Sequence, residues 1–225
     1  MMSTVEAKPN VKFKSVTITS NIEISPNVFL LSFERDFDFR AGQVLGLAMA
    51  PTDDARLYSI ASGEKDPHVD ILYNIKPGGK LTPSLAELKP SDILWITVPF
   101  GSYAGGTEPA YWIAAGTGIA PFYSMYRSGM GGNKTFIHGS RTLDAFYFSD
   151  KLMADFGSRY IRCCSQQEGD GIYHGRVTSY LEEMNNLPLD QKYYLCGSAE
   201  MVVECREILL GKGIAFSNIV AEIYF

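Results

Sequence analysis

The residues with the clearest chemical potential form the run Arg56-Leu57-Tyr58-Ser59-Ile60-Ala61-Ser62. As a strand it sends Arg56, Tyr58, Ile60 and Ser62 to one face and Leu57, Ser59 and Ala61 to the other. A guanidinium beside an aromatic ring suits a ligand carrying phosphate and a flat ring, because arginine pairs with phosphate oxygens in a bidentate fork and tyrosine stacks. An edge strand with a surface arginine and a half-buried tyrosine would read the same way. A second candidate is Gly78-Gly79-Lys80-Leu81-Thr82-Pro83-Ser84-Leu85-Ala86-Glu87-Leu88. Here Thr82 reads as an N-cap, Pro83 as the first helical residue, and Leu81, Leu85 and Leu88 as a buried stripe. The N–H groups at such a glycine-led start cradle phosphate, although a plain capped connector has the same sequence. Two further marks are Gly116-Thr117-Gly118-Ile119-Ala120-Pro121, whose glycines let backbone approach a ligand, and Cys196-Gly197-Ser198. A lone cysteine at a strand end serves packing as readily as reactivity.

The elements that must position these residues divide the chain in two. Short β segments run at Val11 to Ser20, Asn27 to Glu34, Gln43 to Met49, Arg56 to Ser62, Val69 to Asn74 and Ile93 to Val98, which predicts a small antiparallel barrel or sandwich. The glycine-rich segment Phe100 to Gly106 is the expected boundary, giving domains of residues 1–104 and 105–225. Beyond it, strands at Tyr111 to Ala115, Lys134 to Gly139, Tyr160 to Cys164, Lys192 to Cys196 and Asn218 to Ile223 alternate with helices. Those helices are expected at Ile119 to Ser128, Phe146 to Phe156, Val177 to Met184 and Ala199 to Leu210. The fold class is therefore β plus α/β, an antiparallel barrel followed by a five-stranded parallel sheet. In such sheets ligands lie beyond the carboxyl ends of the strands, where Gly116 and Cys196 stand.

Composition narrows the function. Of 225 residues, 46% are hydrophobic and 20% charged, and 20 Lys+Arg against 25 Asp+Glu leave a net charge of −5, which argues against nucleic acid as a partner. No apolar run reaches the ~20 residues that span a bilayer, and Met1 to Asn10 lacks a signal-peptide core, so the expected location is cytoplasmic, away from membranes. Cys163, Cys164, Cys196 and Cys205 form neither a disulfide framework nor a CxxC pair, and no metal site is expected. His68, His138 and His174 are widely separated and read as ordinary buried or surface side chains.

Taken together, Arg56-Leu57-Tyr58-Ser59 in a barrel, Gly116 to Pro121 after the first strand of an α/β half, Cys196-Gly197 after its fourth, and the ending Glu222-Ile223-Tyr224-Phe225 resemble the ferredoxin–NADP reductase family. The order and spacing of these motifs cover nearly the whole chain. The resemblance implies that the first half binds FAD, the second binds NADP(H), and the two rings meet between them. It implies that Arg56 pairs with the FAD pyrophosphate, Tyr58 lines the flavin, and Ser59 hydrogen-bonds near the flavin N5. Gly79, Lys80, Leu81 and Thr82 then match the second pyrophosphate contact. Thr117 touches the flavin edge, and Gly116, Gly118 and Gly197 make room for the nicotinamide dinucleotide. Cys196 stands beside the nicotinamide C4, Glu222 near the carboxamide, and Tyr224 over the flavin, so that Ser59, Cys196, Glu222 and Tyr224 form the catalytic set. Phe225 departs from plant-type members, which stop at the tyrosine.

For the 2′-phosphate of NADP, the resemblance points to Arg141, Ser165 and Arg176, with Gln166 where an arginine is frequent. The activity it implies is electron transfer between NADPH and a separate one-electron carrier, ferredoxin or flavodoxin, since no cysteine set suits a fused iron–sulfur domain. An acidic carrier would dock on a local basic patch formed by Lys12, Lys14, Arg35, Arg40 and Lys76. Two other functions stay open: a flavin or ferric-siderophore reductase of the same superfamily, and a redox-sensing or relay subunit that keeps FAD without turning over NADPH.

Overall fold

The structure is a computed structural model that describes residues 12–224. The first half holds six antiparallel strands: β1 (Lys14–Ser25), β2 (Val28–Glu34), β3 (Val44–Ala48), β4 (Arg56–Ser59), β5 (His68–Asn74) and β6 (Ile93–Ile96). Their order is β4-β3-β6-β1-β2-β5, and the two outer strands meet through an Ile60–Ile71 bridge, which closes the barrel. Alternation along the strands puts Ile18, Leu31, Phe33, Leu45 and Leu47 inside, all with essentially no exposure.

Helix α1 (Thr82–Glu87) plugs one end of the barrel with the buried Leu85. Asn21 donates to the carbonyls of Leu85 (2.8 Å) and Leu88 (3.1 Å), which satisfies the helix C-terminus. Its start differs from expectation by one residue. Leu81 takes the N-cap position and Thr82 is the first helical residue, because its hydroxyl accepts from the Lys76 N–H at 2.8 Å and closes the preceding turn instead of capping the helix.

The second half is a parallel sheet of β7 (Ala110–Ala115), β8 (Lys134–Ser140), β9 (Tyr160–Cys164), β10 (Tyr173–His174), β11 (Lys192–Ser198) and β12 (Ile219–Tyr224), in the order β10-β9-β8-β7-β11-β12. It has six strands where the sequence predicts five. The extra one, β10, is two residues pairing with Cys163 and Cys164, too short to show any alternation. Helices α2 (Ala120–Arg127) and α3 (Ser149–Phe156) pack with one buried cluster, α4 (Val177–Glu183) and α5 (Ala199–Gly211) with another. Helix α3 starts three residues later than the pattern suggests. Phe148 before it adopts a left-handed φ of 61° and stacks on Tyr123 at 3.8 Å and 4°, an aromatic contact that offsets the backbone cost.

The halves share a core. Tyr103 is buried between Phe122 and Tyr194, and its hydroxyl donates to the Leu195 carbonyl at 3.1 Å. Ser124 donates to the Ser62 carbonyl at 2.6 Å, and Arg127 pairs with Asp66 at 2.9 Å. No helix among the described residues is long and apolar enough to cross a membrane.

Candidate functional site

Two strand ends from different halves come together. Ser59 closes β4 and is buried, and its hydroxyl donates to Glu222 Oε2 at 3.0 Å. Glu222 lies on β12 opposite Cys196 in register, and the Cys196 Sγ stands 3.9 Å from the same carboxylate oxygen. Burial raises the Glu222 pKa above its ordinary value, and the hydrogen bonds from Ser59 and Cys196 oppose that shift. Three side chains predicted to act together thus share one carboxylate oxygen at the junction. Tyr224 pairs with Ser198 at the end of β12, but its side chain and Phe225 lie outside the described residues, and the expected ring stacking with them.

The glycine turn after β7 sits against this group. Residues Gly116–Ile119 form a 3₁₀ turn leading into α2. Gly116 has φ +55°, and a Cβ there would meet nothing within 4 Å, so that side of the turn is open. Gly118 is pressed the other way, since its Cβ would fall 2.4 Å from the Cys196 carbonyl oxygen. Backbone packing therefore requires glycine at 118, and the open face at 116 fits a ligand approaching the main chain.

On the barrel side, Arg56 is exposed, and among the described residues it makes no ion pair. Tyr58 is half-buried, turned edge-on to Tyr73 at 6.4 Å, and burial pushes its hydroxyl up to about 12. Ser59 pairs across the ladder with Val44 and Tyr58 with Leu45, so the two side chains leave opposite faces of β4. The strand stops at Ser59, and Ile60, Ala61 and Ser62 are all buried where the chain passes under the second half. In the Gly78 to Thr82 turn, Gly78 (φ +72°) has open space, while a Cβ on Gly79 would crowd the Lys76 carbonyl at 2.9 Å. Lys80 is exposed and Leu81 packs on the barrel core.

Arg141, Ser165, Gln166 and Arg176, the residues expected to meet a 2′-phosphate, gather at the ends of β8, β9 and β10. Gln166 N–H donates to the Arg141 carbonyl at 3.1 Å, and the Ser165 hydroxyl donates to the Ser140 carbonyl at 3.4 Å. Arg176 caps α4, just after β10. It is not unclaimed: its guanidinium lies 3.9 Å from Glu200 at the start of α5, with both side chains largely exposed. Arg176 and Glu200 border a groove of about 580 Å³ that Glu204 and Glu207 also line. Of the expected docking patch, Lys14 pairs with Asp36 and Arg35 with Asp38, while Lys12, Arg40 and Lys76 are exposed.

Sequence reasoning passed over the groups that brace the site. Ser124 and Tyr103 tie the halves through hydrogen bonds to the Ser62 and Leu195 carbonyls, a bracing role that the sequence reading gave to neither. His138, read as an ordinary side chain, is fully buried on β8 next to the glycine turn. Its one signal is a histidine closing the apolar run Phe136-Ile137-His138, two residues before the end of β8.

Residues 15–104 match the oxidoreductase FAD-binding domain family, and residues 112–207 match the oxidoreductase NAD-binding domain family. The chain is 30% identical over 185 residues to the reductase component of propane 2-monooxygenase from Mycolicibacterium goodii, covering 74% of this chain and 53% of that protein. It is 30% identical over 198 residues to the electron transfer component of toluate 1,2-dioxygenase from Pseudomonas putida, covering 82% of this chain and 58% of that protein. The chain thus spans little more than half the length of these two relatives. A ferredoxin–NADP reductase from Neisseria gonorrhoeae, solved with bound FAD and NADP, superposes with a TM-score of 0.86 at 20% identity, covering 95% of this chain and 99% of that one. Ferredoxin–NADP reductase B of Sorangium cellulosum is 30% identical over 227 residues, covering 89% of this chain and 93% of that protein. A match of that extent, on a barrel and parallel sheet joined through Ser59 and Glu222, makes the chain a member of the ferredoxin–NADP reductase family, an oxidoreductase with FAD-binding and nicotinamide-dinucleotide-binding domains.

Proposed function

We propose that this chain carries electrons between NADPH and a separate one-electron carrier, such as ferredoxin or flavodoxin, through FAD held between residues 1–104 and 105–225. The observation that best supports this reading is the Ser59–Glu222 hydrogen bond, a polar contact between the two halves at the junction where the reading seats the flavin and nicotinamide rings. Flavin, when bound, supplies the step from two-electron hydride chemistry to single electrons.

The chain's own residues supply grip, orientation and a dry surrounding. Arg56 would neutralise the FAD pyrophosphate, with Gly79, Lys80, Leu81 and Thr82 forming the second contact and Tyr58 flanking the ring. Ser59 would turn its hydroxyl between Glu222 and the flavin edge. Gly116, Thr117 and Gly118 would receive the dinucleotide main-chain first, with Cys196 and Gly197 opposite. Cys196 is buried, with its Sγ 3.9 Å from a carboxylate oxygen, which suits a packing and polarising role over a nucleophilic one. Arg141, Ser165 and Arg176 would meet a 2′-phosphate. Tyr224 would cover the flavin until nicotinamide displaces it, a role tested by Tyr224→Ser, which should then tighten dinucleotide binding.

The test is to purify the chain, record whether FAD copurifies, and compare NADPH with NADH oxidation using ferredoxin, flavodoxin and free flavin as acceptors. The reading expects carrier-dependent NADPH oxidation. Oxidation supported by free flavin alone, with both protein carriers inert, would favour a flavin reductase instead.

A further inference from the structure

The C-terminal end of α2 is gripped by a turn of the barrel, formed by residues 62–66 just after β4. The Ser62 carbonyl accepts from the buried Ser124 hydroxyl at 2.6 Å, and the Glu64 N–H donates to the Ser128 hydroxyl at 3.0 Å. Asp66 Oδ2 accepts from the Gly63 N–H at 2.5 Å and pairs with Arg127 Nη2 at 2.9 Å, both side chains being partly buried. Gly63 packs directly on the helix end, since a Cβ there would stand 2.9 Å from both the Cβ and the carbonyl oxygen of Arg127.

This turn is itself fixed to the barrel. The Asp66 N–H donates to the Gly63 carbonyl at 3.0 Å, Arg35 Nε donates to the Asp66 carbonyl at 2.7 Å, and the Ala61 N–H donates to the Asp70 carbonyl at 2.8 Å. Ser59, at the end of β4, stands just before this braced segment. At its other end α2 runs straight out of the Gly116–Ile119 turn, whose Gly118 presses on the Cys196 main chain. A helix of 8 residues spans about 12 Å, and its one proline, Pro121, lies in the first turn, where it causes no kink. Helix α2 is thus a strut between the strand that carries Ser59 and the glycine turn.

We infer that Arg127 is a positioning residue for hydride transfer: its ion pair with Asp66, backed by the Gly63 contact, fixes the far end of α2 on the barrel and so sets where the glycine turn stands relative to Ser59. The inference rests on the reading that the flavin and nicotinamide rings meet at the Ser59–Glu222 junction. Misplacing two reacting groups by an ångström can cost about 100-fold in rate, so slack at one end of a stiff helix reaches the reaction without touching either ligand. The other hydrogen bonds from the turn to this helix end join neutral groups, and Arg127–Asp66 is the charged one. A pair that served folding alone would leave the transfer rate of the folded protein unchanged.

Anaerobic stopped-flow reduction of the FAD-loaded protein over a range of NADPH concentrations reads the limiting transfer rate and the NADPH Kd separately. Arg127→Ala should lower the limiting rate about tenfold, with FAD retention unchanged and the NADPH Kd within about twofold of wild type. Asp66→Asn keeps an acceptor for the Gly63 N–H but drops the charge; it should also slow the limiting rate, and should add nothing further in the Arg127→Ala background. Arg127→Lys, which can make the same single-point contact, should stay within about threefold of wild type. A folded Arg127→Ala reduced as fast as wild type, or one whose loss lies wholly in the NADPH Kd, would overturn the inference. If Arg127→Ala does not fold, Asp66→Asn and Arg127→Lys decide the question by the same two quantities. A wild type whose flavin is reduced by neither NADPH nor NADH refutes the reading of the site, and this inference falls with it. A wild type that is reduced beside variants that match it refutes the inference alone.

Discussion

The Ser59 hydroxyl donates to the Glu222 carboxylate at 3.0 Å, joining residues 163 positions apart and from opposite halves of the chain. A hydrogen bond to a carboxylate contributes about 1.5–3 kcal/mol, and partial exposure puts this one towards the lower end. Ser59→Ala should therefore slow flavin reduction by NADPH about tenfold while leaving FAD bound. Stopped-flow reduction of the FAD-loaded variant checks this, and an unchanged rate would take Ser59 out of the reaction.

Glu222 gives the same contact a pH signature. Its folded pKa is raised above the ordinary 4.5, chiefly by burial, so the folded state holds a proton that the unfolded chain has already released. The stability linked to this group is fully present below the ordinary value and is lost as pH rises through the folded value. Glu222→Gln should flatten that part of the profile. Calorimetric melting from about pH 4 to pH 7 should show the wild-type Tm falling relative to the variant as pH rises, and parallel profiles would contradict it.

Gly118→Ala should be among the most damaging small substitutions in the second half. The added Cβ would lie 2.4 Å from the Cys196 carbonyl oxygen and 2.9 Å from the Gly197 Cα, both main chain, so the turn or the end of β11 must move. Overpacking of this kind destabilises by about 1–3 kcal/mol. The variant should lose stability in urea and bind NADPH more weakly. Gly116→Ala meets no neighbour but must hold φ +55°, so its loss should come from backbone strain instead.

Much of this architecture was legible because the signals were periodic. Short β segments between turns located all six barrel strands, and apolar strands alternating with helices located five of the six parallel ones. What escaped was decided by tertiary contacts. Thr82 turned from cap to turn closure because Lys76 offered a donor. The pair β10 is defined by its partner Cys163-Cys164 and not by its own sequence. Phe148, left-handed and stacked on Tyr123, delays the start of α3 to Ser149. At the site, motif resemblance named Ser59, Cys196 and Glu222, yet only the fold puts them around one oxygen. No local pattern relates Arg176 to Glu200, because that contact forms only where α4 packs beside α5.

The Arg176–Glu200 pair predicts a tunable nucleotide preference. An exposed ion pair at 3.9 Å contributes about 0–1 kcal/mol, so on the proposed reading Glu200 would compete only weakly with a 2′-phosphate for Arg176. Glu200→Gln should lower the KM for NADPH up to about fivefold and leave NADH nearly unchanged. Replacing Arg141 and Arg176 together with alanine should do the reverse. Steady-state kinetics with both nucleotides separates the outcomes, and equal effects on NADH and NADPH would remove these residues from 2′-phosphate recognition.

The central claim is that one chain brings FAD and a nicotinamide dinucleotide together across the Ser59–Glu222 junction. The direct measurement is to load the purified chain with FAD, remove oxygen, mix it with NADPH, and follow the oxidised flavin absorbance. The account predicts rapid bleaching with NADPH, slower bleaching with NADH, and a marked slowing in the Ser59→Ala, Glu222→Gln double variant that still holds FAD. A chain that retains no FAD, or FAD that stays oxidised in the presence of both nucleotides, would contradict it.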